Sequence, residues 1–266
     1  MSLDSDTRVA VYTMGKVAST SVSSSILAHG IPCADVHRLE PTRIVERLTP
    51  IVLRKRQPRT LAGHVAALFS KLDGSVRLPK HLTEAFEVLQ QIRARKRFKI
   101  ISLIREPVSR NISAVFQNMS PRLAGDEDAI LEALRKYHVS TPDRWFTRDF
   151  NPVTGIDVFA EEHDRSADHF RFSKGQFDVV IIKTSATDER KSEIISDFLG
   201  TPIALHRANE AKNKWYRETY ERLVAAPNQI RDAYIEECFQ LKYFRAFFSD
   251  EERQAVADKF GYKGKV

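Results

Sequence analysis

RVAVYTMGKVASTSVSSSIL, residues 8–27, is the stretch whose reading decides the fold. Residues 8–14 are a nearly continuous apolar string, as in a strand covered on both faces. Gly15 and Lys16 follow, and then a run of small hydroxylated residues. Ser and Thr are strong helix N-caps, so a helix is expected to begin around Ser19–Ser21. A helix N-terminus carries unpaired N–H groups and the positive end of the dipole, which together favour an anion. Gly15, Ala18 and Ser19 are small enough to let the backbone approach a phosphate. The hydroxyls of Ser19, Thr20 and Ser21 add donors, and Lys16 adds a mobile positive charge. A capped helix with an exposed lysine is the plainer reading, and this stretch alone leaves it open. The Walker A pattern GxxxxGK[ST] is not met: position 10 is Ala, and Val17 stands where a magnesium-binding hydroxyl belongs. That argues against a metal-bound nucleoside triphosphate.

Outward from this unit, apolar or β-branched runs recur at 34–39, 61–68, 99–105 and 178–184. Helical patterns lie between them, at 20–29, 83–95, 107–118, 127–137 and 188–199. Alternating strand and helix implies a parallel sheet wrapped by helices. From about Asn209 the chain reads almost wholly helical, and its aromatics, Trp215 through Phe248, are expected to pack a core. No repeat or biased linker divides the chain. One domain over 1–266 is expected, with an α/β core at 8–205 and a helical extension at 206–266.

The 266 residues suffice for one sizeable α/β domain. At 42% hydrophobic and 29% charged the chain is of ordinary globular composition, which excludes a disordered or membrane-embedded class. The formal charge of +7 leans towards anionic partners. Two distant cysteines, Cys33 and Cys238, without metal-ligand spacing argue against a zinc site or a disulfide framework. No metal is expected. No apolar run reaches the ~18–20 residues of a membrane span, and the start of the chain lacks a signal-peptide layout. A cytoplasmic location is the expectation.

A second unit, KIISLIREPVSRNISAVFQN, occupies 99–118. The strand is expected to end at Arg105, with Pro107 in the first turn of the helix that follows. Val108, Ile112, Val115 and Phe116 recur at helical spacing and face the core. Arg105 and Ser113, eight residues apart, could grip one phosphate from two sides, the guanidinium fork meeting its oxygens and the hydroxyl adding a donor. Pairing of Arg105 with a helix acid is the structural alternative.

Together KVASTS (16–21) and REPVSRNISAVF (105–116) resemble the sulfotransferases that use 3′-phosphoadenosine 5′-phosphosulfate (PAPS). The KxASTS form is similar to the heparan sulfate and uronyl 2-O-sulfotransferases in particular, although Ala18 departs from the glycine of many members. The resemblance covers residues 8–118. It implies a P-loop-NTPase-like sheet flanked by helices, and it assigns Lys16, Val17, Ala18, Ser19, Thr20 and Ser21 to the 5′-phosphosulfate. Arg105 and Ser113 then take the 3′-phosphate, and Lys16 also serves catalysis by stabilising the leaving group. AGHVAALF (62–69) resembles the segment in which the 2-O enzymes carry a catalytic histidine, which nominates His64 as the base. His37 is the reserve for base or substrate contact. The basic run VLRKRQPR (52–59) offers Arg54 and Arg56 to an acidic substrate. WFTRDFNPVTGIDVFA and NKWYRETYERL resemble bacterial proteins described as capsular polysaccharide synthesis proteins, themselves sulfotransferase-like. The expected partner is a carbohydrate or polysaccharide acceptor rather than nucleic acid, with PAPS as co-substrate. Rival readings are a P-loop-like kinase using ATP and a non-catalytic module that binds nucleotides or polyanions.

Overall fold

The computed structural model describes residues 4, 6–44, 80–123, 126–206, 217–225 and 229–264. Strands β1 (Thr7–Tyr12), β2 (Cys33–Val36), β3 (Arg97–Ile104), β4 (His169–Lys174) and β5 (Phe177–Lys183) form one sheet in the order β2-β1-β3-β5-β4. The first three and β5 run parallel. Val9 faces Cys33 on one side and Lys99 on the other, and Ile100 faces Val179. The apolar strings are buried as their composition demands: Val11, Tyr12, Ile101, Ile104 and Val180 through Ile182 have no measurable exposure.

Helices α1 (Ser19–Ala28), α2 (Lys80–Arg93), α3 (Pro107–Asn118) and α4 (Glu127–Lys136) lie within a few residues of the expected spans. A helical stretch not foreseen follows, as α5 (Thr141–Trp145), a π turn (Phe146–Phe150) and α6 (Asn151–Thr154). Pro152 has no N–H for the carbonyl four residues back, which favours the wider π turn at this place. Helix α7 (Asp188–Leu199) covers the expected span; it begins on a Thr187 cap, with the Thr187 hydroxyl accepting from the Arg190 N–H, and ends on left-handed Gly200.

The last third is helical over α8 (Arg217–Ala225), α9 (Gln229–Phe239), α10 (Lys242–Phe247) and α11 (Asp250–Lys259). Its aromatics Tyr234, Phe239, Tyr243, Phe244, Phe247 and Phe248 are buried, while Trp215 and Tyr216 lie outside the described residues. None of the helices among the described residues is long and apolar enough to cross a membrane.

Two strand expectations need correction. The one at 34–39 ends at Val36, because the N–H groups of Leu39 and Glu40 turn to the carboxylate of Asp149 instead of a strand. Strand β4 was not anticipated. It is an antiparallel edge strand, with Phe170 opposite Ile181, joined to β5 through left-handed Gly175. The expected strand at 61–68 lies outside the described residues.

This strand order positions a site. From β1 the chain crosses to β2 on one side, and α2 then carries it past β1 to β3 on the other. Connections therefore diverge at adjacent parallel strands, and the carboxyl ends of such a pair border a crevice that suits a ligand.

Candidate functional site

The loop leaving β1 has an uncommon backbone. Gly15, Lys16 and Ala18 have φ of 81°, 64° and 60°. Lys16 and Ala18 are two of the three non-glycine residues with positive φ among the described residues, and each costs about 1–2 kcal/mol relative to a right-handed conformation. Left-handed residues placed this closely gather N–H groups into an anion-binding concavity. Ala18 is also the N-cap of α1, with no side-chain cap.

The expectation that hydroxyls cap this helix is therefore wrong. The Ser24 and Ser25 hydroxyls donate back to the carbonyls of Thr20 and Ser21, at 2.6 and 2.8 Å, and Ser23 reaches the Asp35 carboxylate at 3.1 Å. Val17 turns its side chain into the core, 1% exposed, so it can offer only backbone to a ligand. Ser19 is buried, Thr20 exposed, and Lys16 and Ser21 half-buried at the mouth of the loop.

Past β3, Glu106 caps α3, its carboxylate accepting from the Ser109 N–H at 2.9 Å, with Pro107 at the first helical position. Arg105 is half-buried, and its guanidinium makes no hydrogen bond or ion pair with any described residue. Pairing with a helix acid is thus not what holds it. Ser113 is 9% exposed, and its hydroxyl likewise has no partner among the described residues.

Arg110 joins the two loops. Its Nη2 donates to the Met14 carbonyl at 3.0 Å and its Nε to that of Gly15 at 3.3 Å. Its Nη1 donates to Asn111 Oδ1 and the Tyr137 hydroxyl, both at 2.8 Å. Only 3% exposed, this cation has no carboxylate partner among the described residues. It fixes the left-handed loop from below, and Ser113 stands on the same face of α3 one turn later. The loops that carry Lys16 and Arg105 thus leave the carboxyl ends of neighbouring strands, and Arg110 physically couples the first to α3, which also carries Ser113.

His37 closes the side next to β2. Its Nδ1 lies 3.1 Å from the Thr13 carbonyl and 3.2 Å from the Thr13 hydroxyl. A carbonyl only accepts, so Nδ1 carries the proton, and in the neutral ring Nε2 keeps its lone pair. The residue is exposed. Its backbone is anchored by the Trp145 indole N–H, which donates to the His37 carbonyl at 2.9 Å. Beneath it, the Asp149 carboxylate accepts from the N–H groups of Leu39 and Glu40, at 2.8 and 3.2 Å, and from the Tyr12 hydroxyl. Burial raises the carboxyl of Asp149 above its ordinary value, opposed by these hydrogen bonds.

Burial also pushes the Cys33 thiol up to about 12 and raises that of Cys238, so neither is a nucleophile at neutral pH. No group of three His, Cys, Asp or Glu side chains among the described residues could hold a metal ion. His64, Arg54 and Arg56 lie outside the described residues.

Residues 127–249 match the family described as "Putative capsular polysaccharide synthesis protein". None of the curated proteins and none of the solved structures matches the chain. The matched segment starts beyond both loop motifs, yet it supplies Tyr137, Trp145, Asp149 and Tyr243, the side chains that hold those loops and His37 from behind.

Sequence reasoning missed these four residues and the bridging role of Arg110. A buried aromatic or acid far along the chain carries no local signal of which loop it touches. Arg110 alone left a trace, as a charged residue among the core-facing positions of α3.

Proposed function

We propose that this protein is a PAPS-dependent sulfotransferase that moves a sulfuryl group to a hydroxyl of a carbohydrate or polysaccharide. The observation that carries the reading is Arg110, a buried guanidinium tying the β1 loop to α3 with no carboxylate among the described residues to balance it. A buried charge of this kind is costly until an anion answers it, and a bound phosphate or phosphosulfate would do so. The guanidinium of Arg105 and the hydroxyl of Ser113, without partners among the described residues, suit a second phosphate group beyond the carboxyl end of β3.

The β1 loop, the α1 N-terminus, Lys16, Ser19, Thr20 and Ser21 would hold the 5′ end of the donor, and Arg105 and Ser113 its 3′-phosphate. Bound PAPS supplies the sulfuryl group and a stable bisphosphate leaving group. Lys16 neutralises negative charge at the 5′ side, where electrostatic preorganisation is most effective. The acceptor hydroxyl needs a proton acceptor. His64 is nominated by resemblance, and His37 by its oriented ring, with Nδ1 tied to the Thr13 carbonyl and hydroxyl. The description of the matched family supports a polysaccharide acceptor.

Thermal melts of the full chain with adenosine 3′,5′-bisphosphate, AMP and ATP–Mg²⁺ test the reading. At a hundredfold excess over Kd the bisphosphate should add about 2.7 kcal/mol, or about 5 °C for a chain of this size. AMP and ATP–Mg²⁺ should add less. Greater stabilisation by ATP–Mg²⁺ would refute the proposal in favour of a kinase. His64→Ala and His37→Ala then separate the two bases: the variant that loses turnover while keeping the bisphosphate shift marks the proton acceptor.

A further inference from the structure

Tyr243 makes an unusual pair of contacts for a buried phenol. Its hydroxyl accepts from the backbone N–H of Arg105 at 3.0 Å and donates to the carbonyl of the same residue at 2.7 Å. Arg105 is the first residue beyond β3, where the sheet no longer dictates its backbone. Both of its main-chain hydrogen-bonding groups are thus committed to one oxygen, which sets the angle at which the guanidinium leaves the sheet.

The phenol is itself immobilised. It is fully buried, with its ring 5.9 Å from that of Phe146 and 5.7 Å from that of Phe247. Its own backbone N–H donates to the Asp143 carboxylate at 2.8 Å, and the Lys242 N–H donates to the same carboxylate at 3.1 Å. The chain of contacts runs from Asp143, on α5, through the N-terminus of α10, to the tip of β3. Each of these links except Arg105 lies within the segment that matches the capsular polysaccharide family.

We infer that Tyr243 is a positioning residue for Arg105, and that Asp143 supports it from behind. The inference rests on the sulfate-donor reading, in which Arg105 grips the 3′-phosphate. A long, flexible side chain reaches a phosphate productively only if its root is fixed, since a misplacement of 1 Å can cost two orders of magnitude at a reacting centre. The effect of losing the clamp should therefore fall on ligands bearing a 3′-phosphate and spare those without one.

The test measures the dissociation constants of adenosine 3′,5′-bisphosphate and AMP for the full chain by titration calorimetry. Tyr243→Phe keeps the ring and removes only the hydroxyl. It should reduce the preference for the bisphosphate over AMP by about threefold to tenfold, the range for one hydrogen-bonding group, and leave AMP affinity unchanged. In an Arg105→Ala background the same substitution should leave the ratio untouched. Asp143→Ala should lower the ratio in the same direction, and it carries the test if Tyr243→Phe fails to fold. A loss shared equally by both ligands, or a preference that neither variant reduces, would overturn the inference while wild type still prefers the bisphosphate. If wild type shows no such preference, the sulfate-donor reading fails, and the inference with it.

Discussion

Ala18→Gly should make this protein more stable, against the usual direction of such a substitution. Ala18 sits at φ 60° and ψ 28°, a left-handed conformation that costs a residue with a Cβ about 1–2 kcal/mol. Glycine escapes that cost but brings extra freedom to the unfolded chain, worth about 0.4–1 kcal/mol in the opposite sense. The balance is a gain of about 0.5–1 kcal/mol, which for 266 residues is a rise of about 1–3 °C in Tm. Gly15→Ala inverts the experiment. Gly15 has φ 81°, and a Cβ added there meets nothing within 4 Å, so only backbone strain is introduced and Tm should fall by a similar amount. Differential scanning calorimetry of both variants beside wild type reads the two signs. A destabilised Ala18→Gly together with an unperturbed Gly15→Ala would show that this loop is not left-handed, and the anion-cradle argument would go with it.

Three further outcomes are expected. Arg105→Ala should abolish the preference for adenosine 3′,5′-bisphosphate over AMP in equilibrium titrations, leaving AMP binding and Tm without ligand nearly unchanged, because the guanidinium has no partner among the described residues. Asp149→Asn keeps an acceptor for Leu39, Glu40 and Tyr12 while removing a carboxyl whose value is raised by burial. A raised acid favours folding below its unfolded value and loses that contribution as pH climbs through its folded value, so the variant should gain on wild type as pH rises from about 3.8; parallel Tm–pH curves would refute this. Glu252→Gln should cost about 2 kcal/mol in urea melts, because Lys183, 1% exposed, loses its carboxylate partner. Lys183→Met added to it should recover much of that loss, and an additive double variant would contradict the pairing.

The sequence by itself determined the strands at 8–14, 99–105 and 178–184 and the helices that follow them, since unbroken apolar strings and a 3.6-residue period are local properties. It also singled out Lys16, Arg105 and Ser113, because strand–turn–helix units advertise helix N-termini. It misjudged the hydroxyl run after Lys16: which residue caps α1 depends on the left-handed turn at Ala18, in a loop whose Met14 and Gly15 carbonyls are held by Arg110 from another helix. Only the tertiary structure could decide that β1 and β3 lie side by side, that one buried guanidinium spans their loops, and that Asp149 and Tyr243 reach back over a hundred residues to hold His37's strand end and Arg105. Such contacts are fixed by burial and by the need of every buried N–H and carbonyl for a partner. These requirements are met between segments that share no local pattern, which is why reading along the chain could not supply them.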